Sequence, residues 1–160
     1  FHPADFWEGL DAELRQRYSE ALSKLPLAAS TPNGIIALHG ALPDVSSLED
    51  INRIELGSDE WHQITWGDWQ EKKEKFIGID PYTGRPQFGR GWFEEIMSRL
   101  SKNVLIRSHQ PNAPGVMYGR RCLTIFTSSA YRDYVSERTI ALVDLERGVK
   151  SVDDIRIEIV

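Results

Sequence analysis

Apolar residues recur near every 3.6 positions at the start of the chain. Phe6, Leu10, Leu14, Tyr18, Leu22 and Leu25 fall on one face of a helix. Pro3-Ala4-Asp5 opens this region, Gly9 divides it in two, and Pro26 ends it, because proline pushes the preceding residue out of the helical conformation. The period then changes. Leu27-Ala28-Ala29 and Ile35-Ile36-Ala37-Leu38 flank Thr31-Pro32-Asn33-Gly34, and Asn-Gly between apolar runs predicts an antiparallel hairpin. Ser46 or Ser47 caps a short helix carrying Leu48, Ile51 and Ile54. Residues 55–75 read as irregular, with E-K-K-E-K at 71–75 as a solvated face. The Gly- and Pro-rich stretch 78–91 reads as a long loop. Trp92, Phe93, Ile96, Met97 and Leu100 predict a helix. Strands follow at 103–107, 116–118, 122–126, 139–144 and 155–160, with Gly148 in a turn and Val152-Asp153-Asp154 in a connection. This order predicts a mainly antiparallel or mixed α/β sheet with helices on one face. The other face needs a second layer.

Composition narrows the function classes. At 160 residues with 41% apolar residues, the chain is most simply one domain, or part of one, with a packed core. A net charge of −5 argues against nucleic acid or an anionic membrane as partner. No run approaches a membrane span, and no signal-peptide pattern is visible. The single cysteine, Cys122, excludes an intrachain disulfide and suits a reducing, cytoplasmic setting, where it packs in an apolar strand. The chain begins with Phe1, which suggests a fragment. Trp61, Trp66 and Trp69 read as core and loop packing, and His2 and His62 as surface residues.

Two histidines stand out. His39 follows Ile35-Ile36-Ala37-Leu38, and His109 follows Val104-Leu105-Ile106-Arg107-Ser108. Each sits where an apolar strand stops, rigidly aimed and reachable by solvent, and imidazole is the commonest metal ligand. Seventy residues separate them, so no short metal motif applies, and two histidines of no special role remain an open reading.

Five stretches carry a resemblance. L-P-L-A-A-S-T-P-N-G-I-I-A-L-H-G-A-L-P at 25–43, S-L-E-D-I-N-R-I-E at 47–55, I-T-W-G-D-W at 64–69, N-V-L-I-R-S-H-Q-P at 103–111 and L-T-I-F-T-S-S-A-Y at 123–131 come in this order. Together they resemble the serine/threonine protein phosphatases of the calcineurin-like metallophosphoesterase family. The resemblance implies that His39 and His109 are metal ligands, on one ion of a dinuclear pair or split between the two. It implies that Asp68 is the catalytic carboxylate at the mouth of the site. Tyr131 would line the phosphate pocket, and Arg85 would grip phosphate, with Arg90 competing for that place. Two divalent ions (Mn, Fe or Zn) would activate a water to hydrolyse phosphate monoesters.

The chain departs from the family pattern at Ala41, at Gly67-Asp68-Trp69 and at Ser128-Ser129-Ala130-Tyr131. It also lacks the family's G-D-x-H-G, G-D-x-x-D-R-G and G-N-H-E motifs. The resemblance therefore implies the C-terminal half of a four-layer α/β/β/α sandwich, residues 1–160 forming part of a single domain. Such a piece would be inactive alone, hold metal weakly or not at all, and self-associate through its uncovered sheet face. Expected substrates are a phosphoprotein or a small phosphoester. A dinucleoside polyphosphate hydrolase and a non-catalytic interaction or regulatory module are the alternatives.

Overall fold

The computed structural model describes residues 5–128, 131, 133, 135 and 137–160. Pro3 and Ala4, expected to open the first helix, lie outside the described residues, as do His2, Ser129 and Ala130. The helical start divides as its sequence implies, into α1 (Asp5–Glu8) and α2 (Ala12–Leu22). The Asp11 carboxylate accepts from the Leu14 N–H at 2.8 Å and caps α2. The apolar stripe of α2 is not buried, however: Leu14, Tyr18, Leu22 and Leu25 are all exposed.

The hairpin forms between β1 (Ala28–Ser30) and β2 (Ile35–Leu38), turning at Gly34 with φ +109°, which glycine alone adopts readily. Next come α3 (Leu48–Ile51), with Ser47 and Asp50 in a capping box, and α4 (Asp59–Trp66), capped by Ser58. Helix α4 lies in the stretch read as irregular. Ser58 and the two acidic residues of the first turn mark its start, but two tryptophans between Gly57 and Gly67 mask its period. Strands β3 (Asp68–Trp69), β4 (Phe76–Ile79) and β5 (Pro86–Phe88) form a small sheet in order β3-β5-β4, so the loop expected over 78–91 is largely a strand hairpin. Helix α5 (Arg90–Arg99) buries Phe93, Ile96 and Met97, spaced three and four apart on one face.

Strands β6 (Val104–Arg107), β7 (Val116–Met117) and β8 (Cys122–Thr124) complete a five-stranded mixed sheet, ordered β1-β2-β6-β8-β7. Strand β6 runs parallel to both β2 and β8, pairing Ile36 with Leu105 and Ile106 with Leu123. Alternation along these strands sorts their side chains onto two faces. Ile36, Leu38, Leu105 and Cys122 pack with residues of α3, α4 and α5. Ile35, Val104, Ile106 and Leu123 pack instead with Val149, Val152 and Ile155, around a 3-10 turn (Val152–Asp154). That turn joins β9 (Thr139–Leu142) to β10 (Arg156–Ile159), an antiparallel ribbon. The second sheet face, expected to lie bare, is thus covered over its centre by the chain's own C-terminal segment.

Candidate functional site

Strands β2 and β6 are parallel neighbours, so both end at the same sheet edge. Carboxyl ends of parallel strands are where α/β folds place ligands. The chain crosses that edge at once in both places. After His39, the Gly40 N–H donates to Ile64 O at 2.8 Å and the Ala41 N–H to Gln63 O at 3.0 Å, folding the strand end onto α4. Room for this contact comes from Gly67, where a Cβ would lie 2.4 Å from Gln63 O and 2.5 Å from the Ala41 Cβ. After β6, the Ser108 N–H donates to His39 O at 3.2 Å, and the Gln110 N–H reaches back to Ser108 O at 2.9 Å. His109 is the centre of that tight turn, with φ +72°. A γ-turn with positive central φ is rare and strained for a residue with a side chain. The turn aims the imidazole back over the sheet edge.

The side chains converge. His39 Nε2 lies 3.1 Å from His109 Nδ1. His109 Nε2 lies 3.5 Å from Asp68 Oδ1, and Arg85 Nη1 lies 3.9 Å from the same oxygen. Trp66 stands edge-on to the His109 ring at 5.6 Å, and the Arg85 guanidinium sits over the Trp66 indole at 5.5 Å. Asp68, Arg85 and Gln110 border a cleft of about 490 Å3 beside this cluster.

Burial sets the protonation states. It lowers the His109 pKa to about 4, with the Arg85 and His39 charges acting in the same sense. Burial likewise lowers His39, again reinforced by Arg85 and Arg107. It raises the Asp68 carboxyl, against the opposing pull of Arg85 and Arg107. Both imidazoles are therefore neutral at pH 7, with lone pairs available. Among the described residues, His109 Nε2 and Asp68 Oδ1 are buried without a hydrogen-bond partner. Two orphaned donors of these kinds suit a divalent cation. Among the described residues, no group of three or more His, Cys, Asp or Glu side chains could close a metal site.

Of the residues singled out in the sequence, His39, His109, Asp68 and Arg85 come together. Arg90 does not: its guanidinium lies 6.0 Å over the Tyr118 ring, at the start of α5. Tyr131 is exposed and packs edge-on against Phe126 at 5.5 Å, outside the contact cluster. Three neighbours of the site were not assigned to it in the sequence: Trp66, read as packing, Arg107 and Gln110. Arg107 had a signal, being a cation inside an apolar strand. Trp69 is in the core and Cys122 is fully buried, its thiol pushed up to about 11 by burial.

No family model matches the chain. Human serine/threonine-protein phosphatase 5 is 28% identical over 136 residues, covering 79% of this chain and 27% of that protein. A Caenorhabditis elegans serine/threonine-protein phosphatase is 24% identical over 159 residues, covering 91% of this chain and 35% of that protein. The chain thus spans about a third or less of these relatives. A solved protein serine/threonine phosphatase from Saccharomyces cerevisiae superposes on 92% of this chain with a TM-score of 0.63 at 19% identity, and the match covers 50% of that structure. The mixed α/β architecture is accordingly that of half a phosphatase fold. In sequence and in fold, the chain is thus similar to part of the serine/threonine protein phosphatases.

Proposed function

We propose that the chain is part of a single metallophosphoesterase domain that hydrolyses phosphate monoesters of proteins or small molecules. The convergence of His39, His109, Asp68 and Arg85 on one sheet edge carries this reading. His39 and His109 contribute neutral nitrogen donors to a divalent metal site, and segments outside these 160 residues complete it. Divalent ions bound there supply Lewis acidity toward a phosphoryl group. Arg85 presents a planar cation to phosphate oxygens, and stacking on Trp66 restricts its motion. Asp68, its carboxyl raised by burial against the pull of Arg85 and Arg107, borders the cleft. Tyr131, as the sequence resemblance implies, would line the phosphate pocket.

Two measurements test this. Titration of the isolated chain with Co2+, read on the imidazole NMR signals, should perturb His39 and His109 together, and His109→Ala should abolish the effect at His39. Independent responses would overturn the shared metal site. With excess manganese, the isolated chain should turn over p-nitrophenyl phosphate negligibly. Turnover comparable to an intact metallophosphatase would overturn the proposal that ligands come from elsewhere.

A further inference from the structure

The residue after each of the three central site residues belongs to one hydrogen-bonded cluster: Gly40 after His39, Trp69 after Asp68, Gln110 after His109. The Trp69 indole Nε1–H donates to Gly40 O at 3.2 Å. The Trp69 backbone N–H donates to Gln110 Oε1 at 2.7 Å, and Gln110 Nε2 donates to the Trp69 carbonyl at 3.1 Å. One side-chain amide thus holds both polar groups of Trp69's backbone, directly beside Asp68.

Beneath this cluster lies Arg107, 1% exposed at the end of β6. Its Nη1 donates to Gln110 Oε1 and to Ser108 O, its Nη2 faces Met117 Sδ at 3.8 Å, the Cys122 thiol adjoins the guanidinium, and its Nε has no hydrogen-bond partner among the described residues. It makes no ion pair among the described residues. Burying a guanidinium without a carboxylate costs several kcal/mol, so packing alone would favour an apolar residue here. Orientation supplies the reason for a cation. Arginine can only donate. A donor against Gln110 forces Oε1 to stay where it is, which leaves Nε2 facing the Trp69 carbonyl. With the amide turned the other way, its NH2 would meet both Arg107 and the Trp69 N–H, donor against donor.

We propose that Arg107 and Gln110 are positioning residues: Arg107 fixes the amide of Gln110, Gln110 clamps the backbone of Trp69, and the clamp sets Asp68 against His109 and Arg85. The importance of that placement rests on the reading of Asp68 as a site carboxylate. The clamp itself does not.

Amide hydrogen exchange at Trp69, read by NMR on the 160-residue chain, tests it. Gln110→Met keeps volume and removes the clamp, and Trp69 exchange should speed by about tenfold or more. Arg107→Met should do nearly the same, although Arg107 does not touch Trp69. Arg107→Lys keeps a donor to Oε1 and should restore slow exchange, a rescue that a merely space-filling role would not show. In each variant the Gln70 amide, bonded to Phe88 O at 2.8 Å, should stay protected and so report an intact fold. Unchanged Trp69 exchange in folded Arg107→Met overturns the relay. Should that variant unfold, Gln110→Glu decides: it keeps an acceptor for Arg107 and for the Trp69 N–H, so protection should persist, and its loss overturns the relay. Asp68→Asn in a phosphoesterase assay of an active enzyme containing this chain tests the other reading. Unchanged turnover would reject Asp68 as the site carboxylate and leave the clamp standing.

Discussion

His39 and His109 share one hydrogen bond, Nε2 to Nδ1 at 3.1 Å, across 70 residues of sequence. One ring must donate and the other accept. Asp68 Oδ1, 3.5 Å from His109 Nε2, selects which. A proton on His109 Nε2 faces the carboxylate favourably, whereas a lone pair there would be repelled. His109 Nδ1 is then the acceptor and His39 Nε2 the donor. In the metal-free chain, 15N shifts should report both rings as Nε2–H tautomers.

The depressed His109 pKa makes the metal-free fold acid-sensitive. Unfolded His109 binds a proton near pH 6.5, and folded His109 only near pH 4. Between these values the unfolded state holds more protons, so stability is present above pH 6.5 and is lost as pH falls toward 4. The loss from this group is on the order of 3 kcal/mol. Asp68, with its carboxyl raised, acts in the opposite sense over the acid range and offsets part of it. Urea unfolding at pH 7 and pH 5 should show the larger stability at pH 7. His109→Gln should flatten the difference, and an unaltered slope would reject the burial of a neutral imidazole.

Trp69 is 1% exposed and packs on Phe88, Phe93 and Tyr118, with ring centroids 5.7–6.0 Å apart. Trp69→Ala should cost about 3–5 kcal/mol in denaturant unfolding. Trp69→Phe keeps much of the ring but leaves Gly40 O without the indole N–H, and should cost about 1–3 kcal/mol.

Gly67 and Gly148 should respond oppositely to alanine. At Gly67 a Cβ meets Gln63 O at 2.4 Å, backbone that cannot swing away, so Gly67→Ala should destabilise by about 1–3 kcal/mol or more. At Gly148 a Cβ would meet nothing within 4 Å among the described residues, and Gly148→Ala should be neutral, or stabilising by up to about 1 kcal/mol. Thermal melts of the two variants check the contrast.

In an active enzyme containing this chain, Arg85→Met should raise the KM for p-nitrophenyl phosphate about tenfold or more, as loss of charged hydrogen bonds would. Arg90→Met should leave KM unchanged, because Arg90 stacks on Tyr118 away from the cluster. Equal effects from the two would remove Arg85 from the phosphate site.

The hairpin at Thr31–Gly34, helix α5 and strand β6 were legible because each is specified locally: Asn-Gly for the turn, three-and-four spacing for the helix, an apolar run for the strand. His39 and His109 were legible for the same reason, each ending such a strand. The rest depends on contacts between distant segments. The cover that Val149, Val152 and Ile155 give the sheet has no local mark. The exposed stripe of α2 shows the converse, since a correct apolar period does not say whether anything packs on it. Gln110 reads as an ordinary turn residue until Arg107 and Trp69 are seen to meet on its amide.

The parallel pairing of β2 with β6 also governs how the chain folds. Ile36 meets Leu105 only after the whole intervening segment has closed into a loop, and that entropy is spent before the sheet centre repays it. Long-range strand pairing of this kind slows folding. The β1–β2 hairpin and α5 can form early from neighbours in sequence. The two imidazoles come within reach of each other only when the central strands dock, so their contact reports that long-range step.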